Sequence, residues 1–473
     1  MSHPLPDPSR VRGTLIMTLR ASALALALIG ILLLAFCLRW TSASETRVLI
    51  PLRADAGDYF TYAYNLRHKH VYSRDSTSLQ RPDFRPAPDA TRSPGYPIFL
   101  SAFVSGLPDK GMLDRIVLWQ AVLSTATLLF SFLFLRSFLS VFWAGAGALL
   151  TALSPHLIVA NSYLLTETLF CFLLVLTLCL IGLLGKRPRL LVAAFVGILM
   201  AIASLVRPGL QYFPIPFGIL VLFYFGWRKG SKVAGMVILS FALCFSPWVI
   251  RNVHTLGFIS DKTLMINFLH HGMYPDFTYD RVAESRGFPY RYDPRASEIS
   301  RDLPSVLKEI SRRVEQEPIK NLQWFLIGKP VMFWSWNTVQ GAGDAFIYPV
   351  SRSPYFQSAF FRWSHHLMHR LHWPLVILAS FGCLMAWLPL QRIGMRPEPL
   401  FVVRVTSLLL IYYTALHMIG APFPRYSIPL RPFLYGLALF MPWLLFQAVS
   451  NHLHGKIDQT SPHPMDGSST SIP

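Results

Sequence analysis

Long apolar runs, interrupted by short charged or proline-bearing clusters, set the rhythm of this chain. A helix needs about 20 predominantly apolar residues to cross a bilayer. By length and apolarity ten segments qualify, at 21–38, 116–135, 139–156, 164–184, 190–206, 210–227, 233–250, 373–391, 399–419 and 427–447. The breaks fall at Arg136, "GKRPR" (185–189), "RPG" (207–209), "WRKGSK" (227–232), "SPWVIRN" (246–252) and "QRIGMRPEP" (391–399). The pattern predicts an all-α polytopic membrane protein with about ten transmembrane helices.

Orientation follows from where the cations sit. Alternate connections carry Arg10/Arg12/Arg20, Arg136, Lys186/Arg187/Arg189, Arg228/Lys229/Lys232 and Arg392/Arg396. The positive-inside rule makes those ends cytoplasmic. An even number of spans then puts residues 1–20 and a polar tail, 451–473, on the same side, the tail disordered. The spans occupy 21–450, and two long regions, 39–115 and 251–372, face outward. Both are rich in Arg, Tyr and Pro and predict short interfacial helices and loops. In the second, "LPSVLKEISRRVEQEP" (303–318) has apolar residues at helical spacing. "NLQWFLIGKPVMFWSW" (321–336) carries Lys329 and Pro330 in mid-run and is expected to lie at the interface rather than to cross.

Composition agrees with this class. Hydrophobic residues make up 53% of the 473, charged residues only 14%, against about 25% in a soluble domain. The formal charge of +19 lies mainly at the ends of apolar runs, which fits lipid headgroups and orientation and gives no nucleic-acid patch. All five cysteines lie inside apolar segments without zinc-type spacing, so no disulfide framework is expected. Basic residues before Ala21–Leu38 loosely imitate a signal peptide, but the apolar run is too long, and a retained span is expected.

Candidate chemistry collects at the outward ends. "RADAGDYFTYAYNL" (53–66) places Asp55 and Asp58 just after the first span. They can be a helix cap and its third residue, or two carboxylates on one helix face, one of them a general base. Glu167 in "NSYLLTETLF" opens the fourth span, as a first-turn acid or as a group facing a cavity. Arg207, Arg251 and Arg425 adjoin prolines at outward ends, where the positive-inside rule does not call for them. They either snorkel or converge on a lipid phosphate, which guanidinium groups bind bidentately. His365, His366, His369 and His372 share helical spacing, yet no acid lies nearby in sequence, so neither metal nor cofactor is expected. His270 and His271 can line a polar pocket.

Together these stretches resemble the GT-C superfamily of membrane glycosyltransferases, in particular the glycosyltransferase family 39-like group of protein mannosyltransferases and aminoarabinose transferases. The resemblance rests on "DAGDYFTYAYNL", "RSPGYPIFL" (92–100), "YLLTETLF", "VRPG", "PWVIRN" and "RYSIPLRPFL" (425–434), and runs from about residue 20 to 447. It implies transfer of a sugar from a polyprenyl-phosphate donor to a glycan, lipid or protein acceptor at the periplasmic face of the inner membrane, with inversion. It further implies a first-loop acid as base, Asp55 ahead of Asp58. Tyr59, Glu167, Arg207, Arg251, Asn252, Arg425 and Tyr426 would bind substrate, Arg425 through the lipid phosphate. Where that group carries adjacent Asp-Glu, this chain has Asp-Ala-Gly-Asp, which leaves the sugar open. A transporter or lipid flippase is the alternative, and a non-enzymatic membrane scaffold a third. An acid–arginine cluster at one face favours the transferase over both.

Overall fold

The computed structural model describes the backbone of residues 8–460, and side chains from Ser22 to Ser450 apart from Ile393. Every one of the ten expected segments meets a helix. Eight are long and apolar enough to span: Ser22–Glu45, Lys110–Leu135, Glu167–Lys186, Pro208–Phe225, Trp227–Leu256, Ala359–Met385, Pro397–Ile419 and Pro424–Ser450. Leu190–Val206 is a shorter apolar helix. The segment expected at 139–156 is a pair, Val141–Leu153 and Pro155–Ser162, bent by 53°.

The bend has a local cause. Pro155 lacks an amide hydrogen, so the helix that ends at Leu153 leaves carbonyls in its last turn unpaired. Arg39, fully buried in the first span, takes them: Nη2 donates to Thr151 O at 3.0 Å and Nη1 to Ala152 O at 3.1 Å. Its Nε donates to Ser124 Oγ at 2.8 Å. A cation at a helix C-terminus is also favoured by the helix dipole. Nothing in the sequence pattern singled Arg39 out.

One continuous buried cluster of Leu, Phe, Val and Ala runs through the spans. Large apolar side chains such as Phe142, Phe223 and Leu243 stay exposed around the bundle, a surface suited to a bilayer.

The two interspan regions meet each other. Arg47–Val48 and Val350–Arg352 form a two-stranded antiparallel ribbon between them. Leu303–Gln316 is helical where its spacing predicted, capped by Asp302, whose carboxylate accepts from the Ser305 amide at 2.8 Å. Residues 318–333 form Pro318–Gln323, a π-helical turn Trp324–Gly328, and Lys329–Phe333, and none of these is among the span-length helices. Lys329 is buried, its Nζ 3.6 Å from the Phe325 ring centre and 3.0 Å from the Ile419 carbonyl that accepts from it. Burial pulls its pKa down to about 6. The last helix continues to Thr460. Expectations for residues 1–7 and for the tail beyond 460 lie outside the described residues.

Candidate active site

Four elements bring charged side chains to one end of the spans. The first is the helix Asp55–His68. Asp55 is its first residue rather than its cap; the cap position is Ala54, with φ 48°, and no side chain caps the helix. A non-glycine residue in the left-handed region costs roughly 1–2 kcal/mol. The capping explanation for the two aspartates therefore gives way. Gly57 is required here, because a Cβ would lie 2.6 Å from Leu52 O.

The second element is the turn before Gly95–Ser101, which presents Arg92. A side chain at Gly95 would press its Cβ within 2.7 Å of the backbone at Leu205 and Val206. Glycine thus lets this helix touch the end of Leu190–Val206, next to Arg207. The third element is the start of Glu167–Lys186, tied down by buried polar bonds. Gln120 accepts from Tyr96 Oη at 2.8 Å and donates to Asn161 O and Tyr163 O, while Thr168 Oγ1 donates to Asn161 Oδ1. The fourth is the 3₁₀ turn Pro424–Leu430, carrying Arg425 and Tyr426.

Their side chains form a ladder of alternating charge. Asp58 Oδ2 meets Arg92 Nη2 at 2.9 Å, and the same Nη2 reaches Asp55 Oδ1 at 2.7 Å. Arg425 Nη2 bonds Asp55 Oδ2 from the other side. Arg425 Nε lies 3.6 Å and Arg207 Nη2 3.3 Å from Glu167 Oε1. Both arginines sit over the Tyr426 ring, Arg207 at 4.5 Å and Arg425 at 5.4 Å, and Arg92 lies 5.7 Å from the Tyr59 ring.

Burial alone would raise the Asp55 pKa, but Arg425 and Arg92 outweigh it by charge and hydrogen bonding and hold it at about 2. The carboxylates around Arg92 outweigh its own desolvation and raise its pKa. The ladder is nonetheless incomplete. Glu167 Oε2, Arg207 Nη1 and Arg425 Nε are buried and have no hydrogen-bond partner among the described residues. Such atoms are rare, costly and informative. A shallow cleft opens against Arg425, walled by Thr338, Gln340, Gly341, Ile347 and Phe423.

Of the residues picked from sequence, Asp55, Asp58, Tyr59, Glu167, Arg207, Arg425 and Tyr426 are brought together. Arg251 and Asn252 have other neighbours. Arg251 Nη1 donates to Asp89 O at 2.8 Å and Nη2 to Tyr72 O at 3.2 Å, and its guanidinium lies 5.5 Å and 5.3 Å from the Tyr72 and Trp248 ring centres. Asn252 Nδ2 donates to Ile259 O at 3.2 Å. Arg251 staples the end of a span to the first interspan region, whereas Asn252 ties it to the start of the second. His270 and His271 bond and stack with Tyr274 and Tyr290. Asp344, far off in sequence, approaches His365 at 2.6 Å, but among the described residues no three His, Cys, Asp or Glu are grouped to hold a metal. The sequence reading missed Arg92, although it stands in "RSPGYPIFL".

No family model and no curated protein matches the sequence. Solved structures do. The Archaeoglobus fulgidus oligosaccharyltransferase tethered to an acceptor peptide superposes with a TM-score of 0.50 at 13% identity, over 91% of this chain and 51% of that one. The chain shares its fold with the matched part of that enzyme. Archaeal AglB from the same organism, in complex with an inhibitory peptide and a dolichol-phosphate, gives 0.47 at 13% identity over 93% and 52%. ArnT from Cupriavidus metallidurans, bound to undecaprenyl phosphate, gives 0.38 at 13% identity over 84% and 77%. The chain spans about half the length of the oligosaccharyltransferase. At these identities the likeness is one of fold, and chemistry must be argued from the ladder itself.

Proposed function

We propose that this protein transfers a sugar from a polyprenyl-phosphate donor to a hydroxyl-bearing acceptor, at the periplasmic face of the inner membrane and with inversion. The observation that carries the reading is the incomplete ladder: two arginines with unpaired buried donors stand beside a carboxylate pair, where spans end. An arginine pair with spare donors suits a phosphate. The donor's lipid tail would lie along the apolar bundle surface, and its phosphate would meet Arg425 and Arg207. AglB was solved with a dolichol-phosphate and ArnT with undecaprenyl phosphate, ligands of the same chemistry.

In the step itself the acceptor oxygen attacks the anomeric carbon as the bond from that carbon to the phosphate oxygen breaks. Polyprenyl phosphate leaves, its charge met by the arginines. The hydroxyl proton passes to Asp55. Because the leaving group is already a phosphate, no second carboxylate is needed as an acid, unlike in glycoside hydrolysis.

A carboxylate held at about 2 is a poor base. The reading resolves this through Arg425, which cannot serve Asp55 and an incoming phosphate equally. As the phosphate draws Arg425 away, Asp55 loses its strongest stabilising partner and gains basicity. Donor binding thereby switches the base on. Radiolabelled polyprenyl-phosphate sugars, incubated with purified protein and with Asp55→Asn, test the reading; transfer that survives undiminished in the variant would overturn the base assignment.

A further inference from the structure

Tyr348 lies in the loop between Lys329–Phe333 and Val350–Arg352, next in sequence to Ile347, which lines the cleft beside Arg425. Its carbonyl accepts from Tyr163 Oη at 2.9 Å. Its ring packs edge-on against Tyr163, centres 5.4 Å apart, with the Arg53 guanidinium 5.4 Å from its centre. The backbone is thus held at one point and the ring at two, none of which uses the hydroxyl. That hydroxyl is buried and has no hydrogen-bond partner among the described residues.

Its surroundings say what it waits for. The nearby backbone group is the Ala56 amide, a donor already committed to Arg53 O at 3.1 Å. The charges that act on it are those of Asp55, Arg425 and Glu167, Asp55 foremost. Burial, reinforced by Asp55, pushes its pKa up to about 12, so it keeps its proton at neutral pH. The loop is held against the stretch that leads into Asp55, where the Leu49 amide donates to Pro349 O at 3.1 Å and Arg53 faces the Tyr348 ring, so a rigid donor without an acceptor stands at the start of the helix whose first carboxylate has both oxygens taken by arginines.

We infer that Tyr348 is a positioning residue for Asp55: its hydroxyl donates to the carboxylate oxygen that Arg425 vacates when the donor phosphate binds. The inference rests on the transferase reading above. In the donor complex Asp55 then keeps two partners, Arg92 on Oδ1 and Tyr348 on Oδ2, and stays aimed at the acceptor hydroxyl. A donated hydrogen bond favours the ionised carboxylate, so its loss raises the pKa of the base.

The test is the pH profile of kcat for Tyr348→Phe, with Tyr163→Phe as a control that frees the loop carbonyl but leaves the hydroxyl. Asp55 is faced by Asp58, Tyr59, Arg92, Glu167 and Arg425, all common to the proteins compared, so a shift belongs to the hydroxyl. The expected result in Tyr348→Phe is an acid limb raised by about one pH unit and a three- to tenfold lower kcat at neutral pH. The donor KM and the unfolding midpoint should not move, since removing an unpaired buried hydroxyl costs no bond. An unmoved acid limb, a loss confined to the donor KM, or the same shift in Tyr163→Phe overturns the assignment. If wild type transfers no sugar from polyprenyl-phosphate donors, the transferase reading falls and this inference with it; if wild type transfers and only the Tyr348→Phe expectation fails, the reading stands without it.

Discussion

Two regions of this molecule use the same chemistry to opposite ends. One is the ladder of Asp58, Arg92, Asp55, Arg425, Glu167 and Arg207. The other lies in the second interspan region, where Glu309 accepts from Arg312 and Arg313, and Asp293 accepts from Arg313 and from Tyr274 Oη. Arg295 Nη1 closes on Glu309 at 3.4 Å. Both are buried or half-buried networks of acids, arginines and tyrosines. In the second, every buried polar side-chain atom has a partner among the described residues; in the ladder, three atoms do not, and Tyr348 Oη beside it makes a fourth. A complete network holds a loop in place. An incomplete one, kept buried at a cost, is shaped for something that arrives later.

The sharpest way to break the comparison is Asp55→Asn. If the ladder is machinery, kcat should fall by about 10³-fold, within the usual span for a lost general base, in a protein that still folds. Arg425→Lys keeps the charge but cannot span Asp55 and a phosphate with a planar fork, so donor affinity should fall by about 10- to 100-fold in a lipid-binding assay. On the other side, Glu309→Gln should leave kcat intact and cost about 2 kcal/mol of stability, roughly thirty-fold in the folding equilibrium, measured by denaturation of the detergent-solubilised protein.

The sign of its pH dependence follows from the pKa. Arg312 and Arg313 hold Glu309 at about 2, below its ordinary value, so its contribution is full above about pH 5 and fades as pH falls toward 2. Wild type and Glu309→Gln should therefore differ at pH 7 and converge in acid. The smallest effect is expected from Asp58→Asn. Arg92 keeps its bond to Asp55 without it, so kcat should drop less than tenfold in the same transfer assay; a loss equal to that of Asp55→Asn would exchange the two roles.

Much of this was legible in the chain. Span positions came from apolar length, and the break at 153–155 was hidden because "SPH" (154–156) falls at the end of a stretch already long enough to count as one span. Arg207 and Arg425 stood out because they defy the positive-inside rule, and Arg251 stood out for the same reason while its partners proved to be the Tyr72 and Asp89 carbonyls. Local sequence marks an outward arginine but not what it turns toward. Arg92 escaped because it lies in an interspan region already full of arginines, where one more draws no attention. Tyr348 escaped because an unpaired hydroxyl is a property of packing, and no spacing announces it. Asp55 was read as a possible cap, a choice settled by the backbone of Ala54 rather than by any side chain.

The buried Arg39 has a consequence for how the molecule is assembled. The span Ser22–Glu45 carries a cation whose partners, Ser124, Thr151 and Ala152, are made 85 to 113 residues later. Until those residues are in place, the guanidinium must reach for headgroups or water, as cations toward the end of a span do. The first helix is thus born unfinished and is locked only when the bent pair closes beside it. Its docking therefore waits on the bent pair, whose carbonyls complete the Arg39 bonds.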